Sequence, residues 1–223
     1  MKMLSMLAAA AALTIGVGFA NAALASDQAD LLRRATRTAE HMQRDPAFGA
    51  ARQMLHNARA ILIVPSLVKG GFIFGAEGGN GVLLARTHRG WSNPAFYAMG
   101  SASFGFQIGL EQAEIVLLIM SDRALRAVER SQFKFGAGAG LTVVTLSAGA
   151  EGATAPNLSG DIIIWTSATG AYGGLTLNGS IIKAREESND DFYGHSVSVP
   201  EILSGRARNP LANPLREELG SIW

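Results

Sequence analysis

A lysine beside six glycines within eighteen residues, KGGFIFGAEGGNGVLLAR (Lys69–Arg86), has the composition of a loop that cradles phosphate. Composition is not enough for that chemistry. A nucleoside-triphosphate loop ends in Gly-Lys so that the lysine reaches the terminal phosphates, and the chain holds no Gly-Lys pair. The dinucleotide fingerprint G-x-G-x-x-G fails too: Leu84 stands where the third glycine after Gly79 and Gly81 belongs, and Leu141 does so after Gly136 and Gly138. No nucleotide is expected to bind. Glycine inside strands costs conformational entropy and marks a bulge, a tight bend or a close backbone approach. Gly70, Gly71, Gly75, Gly79, Gly81, Gly105 and Gly109 are therefore read as structural, leaving a sheet face flat enough for another element or an apolar ligand to pack on backbone.

Other residue types add little chemistry. The four histidines, His41, His56, His88 and His195, show no metal-ligand spacing, and the chain has no cysteine, which removes thiolate zinc sites and disulfides. There is no G-x-S-x-G elbow. Glu186, Glu187, Asp190 and Asp191 are acidic enough to attract calcium but lack a calcium-loop spacing, so a solvated loop is the simpler reading. No catalytic residue, metal or cofactor is expected.

The elements that must position the remaining candidates follow from periodicity. SDQADLLRRATRTAEHMQRD carries Leu31, Leu32, Ala35, Ala39 and Met42 on one helical face and Arg33, Arg37 and Arg44 on the other. That basic face could lie on lipid, or the alanine-rich face could simply pack on a sheet. A second helix is expected over Pro46–Ala60, with proline in its first turn. From Ile61 the period changes to two. ILIV, GVLLAR, FGFQIGLE, IVLLIM, FKFGAGAGLTVVTLSAG, DIIIWTS and GGLTLNGSIIKAR read as strands, DRALRAVERSQ and VPEILSG as short helices, EESNDDFYG as a polar loop, and the tail as extended with a helical end. The expected fold class is α+β: two N-terminal helices followed by a mainly antiparallel, glycine-rich sheet or partial barrel with short helices.

Residues 1–25 read as an export signal. Lys2 precedes the apolar run Leu4–Phe19, and small residues recur at Ala20–Ala22 and Ala23–Ala25. Residues 26–223 form the expected single domain, exported and periplasmic or peripheral on the cell envelope. Beyond Lys2 the chain has 18 basic and 18 acidic residues, a balance that argues against nucleic acid as a partner. Residues 27–134 carry 13 Lys and Arg against 9 Asp and Glu, and residues 135–223 carry 5 against 9. This dipolar distribution could orient the protein at an anionic surface, or the halves could attract each other within one fold.

Several segments, in order, resemble the SYLF domain family. AILIVPSLVKGGFIFGAEGGNGVLLAR is similar to its opening K-x-G-F segment, GWSNPAFY to its W-S-x-P-x-F segment, and FGFQIGLEQAEIVLLIM to its G-x-Q-x-G strand; SATGAYGGLTLNGSII, NDDFYG and EILSG complete the series. The resemblance covers about residues 50–205. It implies a lipid-binding domain without catalytic residues, whose partner is a phospholipid membrane surface. Lys69 coincides with the family lysine of K-x-G-F and is a candidate phosphate contact, although a lysine there could also snorkel from a strand end. Arg33, Arg37 and Arg44 are further candidate headgroup contacts, and Phe72 and Phe74 would sit near acyl chains or in the core. The alternative function is an envelope protein-interaction or oligomerisation module built on flat glycine-rich faces.

Overall fold

The structure, a computed structural model, describes residues 27–45, 54–71, 74–104, 109–130, 132–135, 141–147, 160–167 and 179–222. The expected export signal, Phe72, Gly105 and the glycine run 136–140 lie outside the described residues.

Helix α1 (27–44) and a helical segment α2 (described over 54–57) precede a sheet of nine strands among the described residues. Its strands are β1 (Ala60–Gly71), β2 (Phe74–Thr87), β3 (Gly90–Trp91), β4 (Ala95–Phe104), β5 (Gly109–Ile119), β6 (Gln132–Lys134), β7 (Val143–Ser147), β8 (Ile162–Thr166) and β9 (Ile181–Ala184). They lie in the order β6-β9-β4-β2-β1-β5-β8-β7, with β3 paired to β2. Every pairing is antiparallel except β7 with β8, so the α+β expectation of a mainly antiparallel open sheet is met. The short helices are α3 (Asp122–Val128), α4 (Glu186–Tyr193), α5 (Val199–Leu203) and α6 (Asn213–Ser221), the last entered through a 3₁₀ turn at Pro210–Ala212.

Alternation along β1 explains why both faces are covered. Ala60, Leu62 and Val64 join one core with Tyr97, Ile115, Phe133, Ile164 and Ile202. Ile61 and Ile63 join a second core with Val116, Trp165 and the α1 residues Leu31, Leu32, Ala35, Ala39 and Met42, to which α6 adds Leu215 and Leu219. A strand apolar on both faces requires such double coverage. The alanine-rich face of α1 is thus buried against the sheet, with Ala35, Ala39 and Met42 fully enclosed.

Pro65 shapes the middle of the sheet. Without an amide hydrogen it cannot donate to a ladder, and in a central strand it belongs at a bulge. The β1–β2 register shifts between Ile63 and Val68, and the β1–β5 register shifts between Val64 and Leu67. This bulge crosses over Gly79 and Gly81, where an added Cβ would fall 2.4 Å from the Ser66 carbonyl oxygen and 2.7 Å from the Ile63 carbonyl oxygen. Those two glycines are required by close approach, and what lies on them is the chain's own bulge.

Three expectations are corrected. The second helix ends at residue 57 and Ala60 already begins β1. The two ends of FGFQIGLE lie in different strands, Phe104 paired to β2 and Gly109 to β1, and residues 105–108 lie outside the described residues. EESNDDFYG is helix α4, with two acidic residues in its first turn and Gly194 in left-handed backbone closing it. Its polar side chains have tertiary partners: the Asn189 Oδ1 accepts from the Phe96 amide at 2.7 Å.

Candidate functional site

Among the described residues singled out from the sequence, Lys69 stands on β1 and Arg33, Arg37 and Arg44 on α1. Lys69 stands in β1 opposite Glu77 on β2 and Glu111 on β5, so the register sets a carboxylate residue on either side of it. Gly70 lies opposite Ala76 and Leu110, Gly71 opposite Gly75 and Gly109, and Phe74 opposite Phe104. Arg33, Arg37 and Arg44 do share the outer, exposed face of α1. That face carries its own acids, however. Arg33 and Arg34 both reach Asp30 at 3.0 Å, and Arg44 reaches Glu40 at 3.5 Å. Arg37 alone of these has no ion-pair partner among the described residues.

A stronger concentration of charge lies at the β2–β3 turn. Thr87 and Gly90 pair across it, the Thr87 hydroxyl donates to the Gly90 carbonyl at 2.8 Å, and Gly90 takes φ +92°. The turn projects His88 and Arg89, both exposed. Beneath it the buried Trp91 donates from Nε1 to the Leu219 carbonyl at 3.1 Å, tying the turn to α6. Arg86 is held structurally, with its guanidinium 4.3 Å from the Trp91 ring and donating to the carbonyls of Leu55 and Ala58. Its pKa is lowered by burial.

The opposite wall is the segment from α5 to α6. After Ser204 the chain turns through Gly205 at φ +79°. It then alternates: Ala207 is buried while Arg206 and Arg208 face solvent. Asn209 pins this wall three ways. Its amide donates to Asn93 Oδ1 at 2.9 Å, its Nδ2 to the Phe192 carbonyl at 2.7 Å, and its Oδ1 accepts from the Leu211 amide at 3.0 Å. From α6, Arg216 donates through Nε to the Trp91 carbonyl at 2.8 Å and through Nη1 to Asn213 Oδ1 at 3.2 Å. Nearby, burial raises the Tyr193 hydroxyl pKa, opposed by Arg216, and that hydroxyl donates to the Pro94 carbonyl at 2.8 Å.

Between these walls lies a cleft of about 650 Å³ that takes in Arg89, Arg206, Arg208, Arg216 and His88. No Asp or Glu lines it, and none of the four arginines has an ion-pair partner among the described residues. Thr87 and His88 also border a neighbouring hollow of about 480 Å³ that contains His56, Arg59 and Arg86. Uncompensated guanidinium groups around a concave surface can take up an anion through charge-assisted hydrogen bonds. The sequence reading missed this site. Its one local signal was the alternation Arg206-Ala207-Arg208 after a glycine, and Arg89 joins it only through the fold. Among the described residues no group of three His, Asp or Glu could hold a metal ion, and no helix is long and apolar enough to cross a membrane.

Comparison with known proteins places these features in a wider set. A family model described as "Ysc84: Las17-binding protein actin regulator" matches residues 100–222, which include Arg206, Arg208 and Arg216. The chain is 32% identical to protein YSC84 of Saccharomyces cerevisiae over 75% of its own length and 37% of that protein. It is 36% identical to SH3 domain-containing YSC84-like protein 1 of Xenopus laevis over 72% of this chain and 49% of that one. LAS seventeen-binding protein 3 of S. cerevisiae is 30% identical over 82% of this chain and 42% of its own. The chain therefore spans half or less of the length of these relatives.

Proposed function

This chain belongs to the Ysc84 family, the SYLF domain family, and we propose that it is an exported, non-enzymatic domain that associates with anionic phospholipid membrane surfaces. The observation that carries this reading is the arginine cleft. A chain with nearly balanced charge gathers Arg89, Arg206, Arg208 and Arg216 without a lining carboxylate. Such a surface attracts anionic lipid over a range set by ionic strength. The outer face of α1 adds Arg37 and the exposed Arg33 and Arg44, the last two partly neutralised by Asp30 and Glu40.

The buried apolar face of α1 belongs to the protein's own core, so attraction rather than helix insertion is the mode proposed. The His41 Nδ1 contact with Glu114 Oε2 at 2.5 Å, with the Thr38 hydroxyl donating to Oε1 of the same carboxylate at 2.8 Å, fastens α1 to β5. We assign it an anchoring role, not catalysis. Export rests on the signal-like residues 1–25. Las17 binding belongs to the relatives' names; the surface expected here is lipid, with envelope proteins as the partner class should lipid fail.

Co-sedimentation with vesicles tests this. The purified protein should pellet with phosphatidylglycerol-containing vesicles, stay in solution with phosphatidylcholine alone, and be released as salt rises. Equal binding to both vesicle types, or none to either, refutes the reading.

A further inference from the structure

We infer that the cleft between the β2–β3 turn and the α5–α6 segment is a discrete site for a phosphate monoester, beyond a general attraction to negative membranes. The inference rests on the membrane reading only for the source of the ligand; the site itself follows from its geometry.

The cleft is concave and of ligand size, at about 650 Å³, so it suits a group that projects into it more than a flat bilayer plane. Two of its guanidinium groups are already oriented. Arg216 spends Nε on the Trp91 carbonyl and Nη1 on Asn213, which leaves Nη2 to donate elsewhere. Arg206 spends Nε on the Ser204 hydroxyl at 3.0 Å, which leaves both terminal nitrogens. Arg208 and Arg89 are exposed at the rim and carry no ion pair among the described residues. The wall behind them is fixed by the Asn93–Asn209 bond, with Asn93 buried. Fixed donors lose little freedom on binding.

The ligand class follows from charge and acceptor count. Four guanidinium groups with no lining carboxylate present a formal charge of +4 before any contribution from His88. A phosphate diester offers two free oxygens and one charge. A monoester offers three terminal oxygens and about −1.5 to −2 charge at neutral pH, so it occupies more of the available donors. A small polar body carrying that group, whether a lipid headgroup or a soluble sugar or glycerol phosphate, is the ligand that fits.

Two arms separate the sources. In the first, isothermal titration calorimetry measures sn-glycerol 3-phosphate binding to the full protein at physiological salt. Arg206→Gln and Arg208→Gln, exposed positions whose variants should keep the parent circular dichroism spectrum, should each weaken it about tenfold, the worth of one charge-assisted hydrogen bond. In the second arm, vesicles with phosphatidic acid, a monoester lipid, are compared with phosphatidylglycerol vesicles of equal surface charge. Tighter binding to phosphatidic acid, competed by glycerol 3-phosphate and lost in the same variants, supports a headgroup site. Glycerol 3-phosphate binding without retention on either vesicle supports the cleft with a soluble ligand and overturns the membrane reading. Equal binding to the two lipids with no glycerol 3-phosphate binding overturns the monoester site and leaves the membrane reading standing. No binding in any arm overturns both.

Discussion

Gly78 and Gly79 are adjacent in sequence, and the sheet gives them opposite tolerances. A methyl group added at Gly79 would lie 2.4 Å from the Ser66 carbonyl oxygen, 2.9 Å from Val64 Cγ1 and 3.2 Å from Leu67 Cα. Carbon contacts are comfortable at about 3.5–4.0 Å, so the β1 bulge would have to retreat by about 1 Å. Two of the three atoms are backbone of a strand bonded to β2 on one side and β5 on the other, so neither ladder can yield freely. Overpacking of this kind costs about 1–3 kcal/mol, and a backbone obstacle belongs at the upper end. Against it stands about 0.4–1 kcal/mol gained because alanine narrows the unfolded ensemble. The net expectation for Gly79→Ala is a loss of about 2 kcal/mol, or about 4–8 °C in Tm for a chain of this size. At Gly78 the nearest atom to an added Cβ is the Met99 carbonyl oxygen at 4.0 Å, and φ there is not positive. Gly78→Ala should therefore be neutral or stabilising by up to about 0.5 kcal/mol. Urea unfolding of the two variants side by side is the assay. Midpoint stabilities that agree within about 0.5 kcal/mol would refute the bulge argument, since both changes remove the same glycine entropy.

Asp161 accepts from the Ser121 hydroxyl at 2.5 Å, the Thr142 amide at 3.0 Å and Arg123 at 2.8 Å. The Ser121 bond first, then the Thr142 amide and Arg123, hold its carboxyl below the ordinary range. A depressed carboxylate contributes stability above its unfolded value of about 3.9, and loses it as pH falls through the lower folded value. The stability gap between the protein and Asp161→Asn, from urea titrations, should thus narrow from pH 7 toward pH 3, and a constant gap contradicts this. Met42, fully buried between α1 and the sheet, should cost about 2–5 kcal/mol when truncated to alanine, read as a lower thermal midpoint. The folded fraction of that variant should pellet with anionic vesicles as before; selective loss of pelleting would show that the apolar face of α1 meets lipid. Trp165 Nε1 donates to the buried Asp45 Oδ2 at 2.8 Å, so Trp165→Phe should lose about 1–3 kcal/mol in denaturant. An unchanged midpoint would mean that this bond does not hold α1 in place.

The sequence by itself determined the parts that depend on near neighbours. The spacing of Leu31, Leu32, Ala35, Ala39 and Met42 marks the buried face of α1, because helical period places them on one side whatever lies beneath. The doubly apolar run from Ile115 to Ile119 marks an interior strand for the same kind of reason. The absence of a Gly-Lys pair was also enough to remove the phosphate-loop reading of Lys69–Arg86. Helix α4 was hidden, since EESNDDFYG is polar throughout, and only β4 supplies the amide that makes Asn189 worth burying.

Tertiary structure alone decided what each glycine and each arginine does. Gly79 and Gly78 look alike until the Pro65 bulge is laid over one of them. Counted along the chain, residues 135–223 are acidic, yet Arg206, Arg208 and Arg216 come from that half and converge with Arg89 from the other. Linear charge counts average over a segment. An anion, in contrast, responds to what lies within a Debye length, about 8–10 Å at moderate salt. Convergence at that scale is made by the β2–β3 turn meeting the α5–α6 wall, a long-range pairing that no local window of sequence contains.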